Sequence, residues 1–587
     1  MNKEVTFVDE LPRGEPAFHF VDLGHSPHSA GDLVVPDCVR LELADYYPVD
    51  QDQWKHDFIS WLGALNRSSA SPEWWAHGVT AKNLLSSPFG NWILEVMAVR
   101  AIVETMGFER LYVVGATSAQ AEVLAASSQS VASFTTAGRL EADPTNAEFL
   151  VRLGYQFLRV LFMCVALPWG FRRQGKPDIC IFTYVNGSVK NDTDDFFGHL
   201  ANLLRKQKPT LKVVYLAFLH SPFFSTLKAL RTQTQEVYWP LFFELSFGDL
   251  VWAARKTSLA AHSVKKQTVP RFAGGLDIRA LFQAAMWRDL VRGQYFFNLL
   301  VFRAARRYAA RNRPSKLIYP FENKSLEKLL ILGFRAGHPA CRIDGYQHTS
   351  ITPRHTTLLF SEGEAANTPM PDRVITAGAV AKAYLQERGN YPDGMLTVGC
   401  ALRQHWGAAV PVGGRIDTPV RILLALSSSR LELVSALSFF RGVAHDQMAG
   451  IQLMVRPHPE FPLSQLPIAL ANWVEAQCID ATGTALAENL QWCDIVAYVS
   501  STVALETLMR GKPVVNIDIK EALNTDPIIG EIRFHARVRD VQGIQNFVES
   551  LRTLDEETYR AMAEEALRYV QSYLIPATPD AVRVFLE

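Results

Sequence analysis

Short apolar runs alternate with amphipathic segments along most of the chain. In the first half, strand-like runs each end at glycine, proline or polar residues, and several precede segments with helical periodicity. These runs are residues 17–23, 111–114, 179–185, 213–219, 317–319 and 342–346. Residues 223–315 instead show helical periodicity with few turn signals. The order strand, helix, strand predicts an α/β protein with parallel sheets and a helical insertion at about 223–315.

The same alternation continues in the second half of the chain. Strands are predicted at 373–376, 395–398, 420–426, 452–455, 495–499 and 514–517, and helices at 380–388, 431–440, 541–551 and 556–573. The loop 361–371 is rich in small and polar residues, so we place a domain boundary after it. The pattern predicts domains at 1–372 and 373–587, two Rossmann-like domains facing across a cleft.

A hydroxyl cluster follows the predicted strand 495–499. Ser500, Ser501 and Thr502 stand between this strand and a helix predicted to end at Gly511. Parallel sheets bind ligands at the carboxyl ends of their strands, and helix amino ends favour phosphate. Glu506, about one turn inward, would meet ribose hydroxyls. The alternative is that the hydroxyls only cap the helix and the carboxylate is solvated.

A second polar strand end is RPHPE, residues 456–460, after the strand 452–455. The two prolines fix the backbone around His458. Arg456 and His458 offer a cation and a proton-poised donor to a phosphate, and we include Glu460 in the donor site. A histidine satisfied within its own loop is the alternative. The two strand ends together favour a nucleotide-phosphate site.

Two strand ends in the first half carry candidate catalytic groups. Glu322 follows the strand 317–319, and Asp344 and His348 accompany the strand 342–346. By the strand-edge rule we expect all three to line one crevice. Any of them could act as a general base, and the sequence does not rank them.

An aspartate pair at Asp192 and Asp194 could instead be read as the metal-chelating motif of another transferase architecture. Asp194 and Asp195 directly precede a predicted helix, and capping of that helix explains them, so no metal or other cofactor is expected. The seven cysteines are scattered without a CxxC pair, which indicates reduced thiols and no structural zinc.

Charge and hydropathy exclude other classes. Lys and Arg number 59 and Asp and Glu 59, so no overall field recruits nucleic acid. The amino terminus lacks an apolar signal core, which favours a cytoplasmic location. In the apolar segment 149–171, the longest uncharged run, 160–171, is too short to span a bilayer. We expect a buried helix there, or an interfacial helix flanked by Arg172, Arg173 and Lys176 at the inner face of the cytoplasmic membrane.

The motifs RPHPE (456–460) and SSTVALE (500–506) resemble the His-Pro and Ser/Thr motifs of bacterial GT-B glycosyltransferases that use CMP-activated acidic sugars, such as sialyltransferases and Kdo transferases. The runs 319–328, 345–350 and 397–404 resemble a family of surface-carbohydrate biosynthesis proteins. The resemblance implies a GT-B fold and a CMP phosphate bound by His458, Ser500, Ser501 and Thr502.

Two departures qualify this resemblance. The sialyltransferase acidic motif has two carboxylates before a glycine, whereas Ile343-Asp344-Gly345 offers one. Retaining enzymes that use UDP or GDP sugars often carry two glutamates eight residues apart, but Tyr498 lies eight residues before Glu506. The first departure leaves the base undecided, and the second disfavours a UDP- or GDP-hexose donor.

Together with the motifs, this resemblance implies metal-independent transfer of a Kdo-like or nonulosonic acid from a CMP donor to a hydroxyl of an O-antigen or capsule precursor, free or lipid-linked. Three alternatives remain open. They are a nucleotide-sugar epimerase of similar fold, a CDP-polyol phosphotransferase of the teichoic-acid type, and a non-catalytic protein of polysaccharide assembly.

Overall fold

The structure is a computed structural model of the 587-residue chain. It describes residues 3–8, 18–23, 38–48, 50–69, 71–128, 131, 133–137, 144–166, 175–185, 193–219, 223–232, 236–403, 416, 418–427, 429–442, 450–459, 461–519 and 523–587.

The strands, in chain order, are β1 (Glu4–Val8), β2 (His19–Asp22), β3 (Val39–Arg40), β4 (Arg110–Val114), β5 (Ser133–Ala137), β6 (Ile179–Val185), β7 (Val213–Leu219), β8 (Tyr238–Pro240), β9 (Lys316–Pro320), β10 (Arg342–Gln347), β11 (Arg373–Thr376), β12 (Leu396–Val398), β13 (Val420–Ala425), β14 (Ile451–Arg456), β15 (Ile479–Asp480), β16 (Ile495–Tyr498), β17 (Val514–Ile517) and β18 (His535–Val538).

The α-helices are α1 (Gln51–Ser68), α2 (Pro72–Trp75), α3 (Phe89–Thr105), α4 (Ser118–Ser127), α5 (Asn146–Ala166), α6 (Leu200–Gln207), α7 (Phe223–Thr232), α8 (Phe247–Val264), α9 (Arg279–Val291), α10 (Gln294–Asn312), α11 (Ser325–Gly337), α12 (Ala379–Arg388), α13 (Arg430–Arg441), α14 (Ile468–Gln477), α15 (Leu486–Trp492), α16 (Val503–Leu508), α17 (Val541–Arg552), α18 (Glu556–Tyr573) and α19 (Pro579–Val582). Short 3-10 helices lie at Leu43–Tyr46, Gly78–Ala81, Leu241–Glu244, Ala273–Gly275, Thr356–Leu358, Leu463–Gln465 and Arg583–Phe585.

In the described part of the chain these strands form three sheets, and every pairing between them is parallel. The N-terminal sheet has the order β3-β2-β4-β1-β5, the middle sheet β12-β11-β10-β9-β6-β7-β8, and the C-terminal sheet β15-β14-β13-β16-β17-β18. Parallel sheets need helical crossovers on their faces, so central strands are buried on both sides. All seven residues of β6 are buried accordingly. The α/β class with parallel sheets is confirmed.

The sequence analysis predicted one sheet in each of two domains, but the N-terminal region alone contains two sheets. The polar stretch at the amino terminus includes β1, which pairs with β4 and β5 in the centre of the N-terminal sheet. One hydrophobic core joins residues of this sheet, the helices α8–α10 and one face of the middle sheet. The region 223–315 is mostly helical, as predicted, but it also contributes the edge strand β8.

The domain boundary placed between residues 372 and 373 falls inside the middle sheet. β11 pairs with β10, with Asp344 opposite Arg373, and β12 pairs with β11. Residues 373–398 therefore belong with the preceding strands, and the change to the C-terminal sheet comes between Val398 and Val420. The sequence pattern could not locate this boundary, because a strand that begins a new domain and a strand that extends an existing sheet have the same pattern of apolar residues.

The end of the chain returns to the middle sheet. After α18, the Ile575 N–H donates to the Ala377 carbonyl at 3.0 Å, and the Ala401 N–H donates to the Ile575 carbonyl at 2.7 Å. Val582 and Phe585 are then fully buried in a core built on one face of the middle sheet. The last residues thus pack against the middle sheet.

No helix within the described ranges combines the length and the apolarity needed to cross a bilayer.

Candidate functional site

Three strands of the C-terminal sheet end in polar residues at one edge. Ala425 of β13 pairs with Arg456 of β14 and with Tyr498 of β16. Two residues beyond this row the chain carries Ser427, His458 and Ser500. The row brings the two predicted strand ends together, as expected. They are not immediate neighbours, however, because β13 lies between them, and two strand spacings amount to about 9.6 Å.

The loop after β13 is a part of the site that the sequence analysis missed. Ser429 caps α13, and its hydroxyl accepts a hydrogen bond from the Glu432 N–H at 3.4 Å. Ser427 accepts from the Ser429 N–H at 3.3 Å. A run of serines followed three residues later by glutamate is a helix-start signature. That signal was present in residues 427–432, directly after a predicted strand.

Glu432 connects the C-terminal sheet edge to the N-terminal region. Its side chain is buried, and its carboxylate accepts a short hydrogen bond from the Ser500 hydroxyl. On the other side, the guanidinium of Arg354 lies 4.0 Å from the same carboxylate. Arg354 belongs to the loop that follows β10. One carboxylate thus links a predicted donor-binding hydroxyl to a loop at the carboxyl end of the middle sheet.

Arg456 is held in place by neighbouring residues of its own sheet. Its guanidinium donates to the Thr484 carbonyl at 2.8 Å and to the Asn489 side-chain oxygen at 2.6 Å. Burial raises the pKa of Glu506 above its usual value, against the opposing positive charges of Arg510 and Arg456. The positive charge of Arg456 on β14 thus acts on the carboxylate of Glu506 on α16.

The other predicted donor-site residues that the structure describes, Ser501, Thr502 and His458, lie at the same edge. The Ser501 hydroxyl accepts from the Val503 N–H at 3.3 Å, and Thr502 is exposed. His458 is half-buried, and its carbonyl accepts from the Phe461 N–H at 2.9 Å. Glu460 lies outside the described residues. The helix α16 ends at Leu508, before the predicted end at Gly511, so it contributes a weaker dipole than a longer helix would.

Glu322 and His348 come together in the N-terminal region. Their Oε1 and Nε2 atoms are 3.6 Å apart, and Lys324 forms a close ion pair with the other oxygen of Glu322. Burial, with the charges of Arg403 and Lys324, lowers the pKa of His348 to about 3. The imidazole is therefore neutral at pH 7. The side chain of Glu322 is 22% exposed and that of His348 only 2%, so the carboxylate is the more accessible of the two.

Asp344 does not join them, contrary to the expectation of one crevice. It lies inside β10, opposite Ile318 of β9, and its side chain is fully buried. Its carboxylate lies 2.9 Å from Arg373, 3.3 Å from Lys316 and 3.4 Å from Arg342. These cations also donate to the carbonyls of the returning chain end, at Val584, Phe585 and Glu587. Asp344 is a structural carboxylate that helps hold the chain end.

Asp194 is likewise accounted for by the backbone around it. Its carboxylate accepts from the N–H groups of Phe196 at 2.8 Å and Phe197 at 3.0 Å, and from the Thr183 hydroxyl at 2.8 Å. Burial raises its pKa to about 6. It stabilises the turn before α6 rather than capping the helix itself. Asp192 lies outside the described residues.

Comparisons with known proteins leave the family open. No protein-family model matches the chain, and no curated protein matches it. Similar solved structures include MurG from Acinetobacter baumannii, with 12% identity over 70% of this chain and 99% of that one and a TM-score of 0.38. The glycosyltransferase SnogD from Streptomyces nogalater has 13% identity over 70% and 100%, with a TM-score of 0.37.

A UDP-GlcNAc 2-epimerase from Neisseria meningitidis bound to UDP-GlcNAc has 9% identity over 70% of this chain and 98% of that one, with a TM-score of 0.34. Likenesses at this level assign neither an activity nor a substrate. The fold class is given by the chain's own parallel sheets and the helices between them.

Proposed function

We propose that the chain is a glycosyltransferase that moves a Kdo-like or nonulosonic acid from a CMP-activated donor to a hydroxyl of a surface-glycan precursor. The observation that carries the proposal is the contact of Glu432 with both Ser500 and Arg354. It places the hydroxyl-bearing edge of the C-terminal sheet next to a loop at the carboxyl end of the middle sheet. Glu322 and His348 follow strands of that second sheet.

In this proposal the C-terminal sheet edge binds the nucleotide. Arg456 is fixed by Thr484 and Asn489, so its charge is positioned without further loss of side-chain freedom. His458 and the hydroxyls of Ser501 and Thr502 donate to the phosphate of CMP, the hydroxyl of Ser500 donates to Glu432 beside them, and Glu506 accepts from the ribose. Stabilising the departing phosphate in this way needs no metal.

We assign the general base to Glu322. A base must reach the acceptor hydroxyl in its proton-accepting form. Glu322 is partly exposed, whereas Asp344 is fully buried among three cations. His348 has a pKa of about 3, which makes it a weak proton acceptor at pH 7. Its neutral ring beside Glu322 would orient the carboxylate. The acceptor proton passes to Glu322 as the hydroxyl oxygen bonds to the anomeric carbon and CMP leaves.

A thermal-shift panel of CMP, UMP, GDP and UDP tests the donor class, since a ligand that binds the folded state raises its melting temperature. We expect CMP to stabilise the protein most. His458→Ala should weaken CMP binding by about 1.5–3 kcal/mol, the contribution of a charge-assisted hydrogen bond. His56→Ala, at an exposed helical site in the N-terminal region, serves as the control and should bind CMP normally.

Preferential stabilisation by UDP would contradict the CMP donor, and unchanged affinity in His458→Ala would remove this residue from the site. Products distinguish the other classes. Isomerisation of a nucleotide sugar without any acceptor would establish an epimerase, and a phosphodiester product would establish a polyol-phosphate transferase. Absence of any nucleotide effect would favour a non-catalytic assembly protein.

A further inference from the structure

The helix α5 has two apolar faces. One face packs into the core through Phe149, Leu153, Val160 and Met163, all buried. The other carries Val151, Tyr155, Leu158 and Phe162, which recur at helical spacing on a single stripe. These four are between 50% and 73% exposed, and Leu150 beside them is 62% exposed. A surface helix of a globular protein normally has polar residues on its outer face, so this stripe is unusual.

The neighbouring helix α8 extends the apolar area. Phe247 packs edge-on against Phe157 of α5, with ring centroids 6.0 Å apart. Phe247, Val251 and Leu259 of α8 are between 46% and 61% exposed. We call the exposed residues of both helices the α5–α8 surface. From Leu150 to Phe162 the stripe on α5 spans about 18 Å, so it is an extended strip rather than an isolated side chain.

The charges that border this surface are mainly positive. Arg255, Lys265 and Lys266 are exposed on α8 or directly after it. The acidic residue of α8, Asp249, is buried and paired with Arg303 and Arg307. On α5, Glu148 is paired with Arg152 at 2.6 Å and so contributes no net charge. An apolar strip with a basic border complements the surface of an anionic bilayer.

We propose that the α5–α8 surface docks on an anionic lipid surface, with α5 lying in the plane of the membrane. Its apolar stripe enters the boundary between headgroups and acyl chains, and the basic residues of α8 contact the headgroups. A two-fold contact with a second copy is less favourable, because it would bring the basic borders of both copies together.

Vesicle co-sedimentation tests the apolar contribution. We expect the purified full-length protein to bind vesicles of phosphatidylglycerol and phosphatidylcholine, and less so pure phosphatidylcholine. The double variant Val151→Glu with Leu158→Glu should lower the partition coefficient at least tenfold, since it inserts two charges into the docking strip. Ile468→Glu with Leu431→Glu, at residues that are 75% and 63% exposed on other helices, is the matched control and should bind like the wild type.

The basic border is tested separately. Arg255→Gln with Lys265→Gln and Lys266→Gln should lower binding to the anionic vesicles at least tenfold and remove the salt dependence of binding. Arg560→Gln with Arg568→Gln, both exposed on α18, should have no such effect. The substitutions of Arg255, Lys265 and Lys266 leave the apolar strip intact. They therefore also test the proposal if the glutamate variant fails to fold.

Equal binding of wild type and variants, or no binding by the wild type, would overturn the proposal. A second outcome would also overturn it. In that outcome the wild type is a dimer in light scattering and does not bind vesicles, and the Val151→Glu and Leu158→Glu variant is a monomer. Because the assays read lipid binding and not turnover, these outcomes are independent of the CMP-sugar proposal.

Discussion

The neutral imidazole of His348 is the residue-level feature that most constrains the chemistry. Its Nδ1 atom is buried without a hydrogen-bond partner among the described residues, and nearby Arg403 and Lys324 disfavour its protonation. Glu322, 3.6 Å away, forms an ion pair with Lys324. In the proposed mechanism, the carboxylate of Glu322 beside this neutral ring removes the acceptor proton.

Glu322→Gln keeps the size of the side chain but cannot accept the acceptor proton. We expect turnover to fall about 100-fold or more, with CMP affinity unchanged. Turnover with donor and acceptor, and calorimetry with CMP, measure the two effects. Glu475→Gln, at an exposed site on α14, is the control. Normal turnover in Glu322→Gln would move the role of base to His348.

His77 gives a pH dependence that is separate from the site. Burial alone lowers its pKa to about 3, below the usual 6.5. The stability that comes from keeping it neutral is therefore complete above pH 6.5 and is lost as pH falls towards 3. Lowering the pH from 7 to 5 should therefore reduce the unfolding free energy by about 2 kcal/mol through this single residue.

His77→Phe should remove that loss, because phenylalanine retains a ring beside Tyr295, whose centroid lies 4.5 Å away, and does not titrate. Urea unfolding of wild type and variant at pH 7 and pH 5 measures the difference. The same pH dependence in both proteins would mean that His77 is protonated in the folded state.

Sequence patterns placed residues 456–458 and 500–502 at one edge of the C-terminal sheet, because strand ends in a parallel sheet carry recognisable polar breaks. They failed at Asp344, since a single sequence does not distinguish a strand's third residue from its end. The contact between Arg354 and Glu432 was also out of reach, because nothing local marks two residues 78 positions apart as partners. Burial, which decides the protonation of His348, is likewise a property of the folded chain.

At the level of elements, the predicted helices and strands agree with the structure where the local sequence pattern is strong. The helix α18 covers the predicted range 556–573, and its N-cap, Asp555, accepts with its side chain from the Thr558 N–H at 2.7 Å. The strand β1 was missed because its five residues stand in a polar stretch, although Val5, Phe7 and Val8 are buried. Short strands gain their stability from the neighbours they pair with, and a local pattern does not contain that information.

Asp344→Asn tests whether the interior of β10 is structural. Removing the charge leaves Lys316, Arg342 and Arg373 without their shared anion, so we expect a loss of about 3 kcal/mol or more in unfolding free energy. Denaturant titration measures it. Asp580→Asn, with a side chain 85% exposed in the same chain end, should change stability by less than about 0.5 kcal/mol. Full stability with lost turnover would instead indicate a catalytic role.

At the scale of the whole molecule, the chain end completes a core that begins in the first half. Phe585 is fully buried beside the middle sheet and contacts Tyr346, with ring centroids 5.5 Å apart. Phe585→Ala should lower the unfolding free energy by about 3–5 kcal/mol, through lost burial and a residual cavity. Ile468→Ala, at an exposed residue, should have little effect. Equal stability of both variants would show that the chain end does not support the sheet.

The hydrogen bonds from Ile575 to Ala377 and from Ala401 to Ile575 hold two backbone segments, or passages, side by side. One leads from the middle sheet towards the C-terminal sheet, and the other comes back. Two neighbouring passages permit rotation about their common axis but resist separation and sliding. Under the proposed function, we expect the opening that admits the donor to be a rotation about Ala401 and Ile575. Substitutions there should change the rates of substrate entry and product exit rather than the bond-forming step.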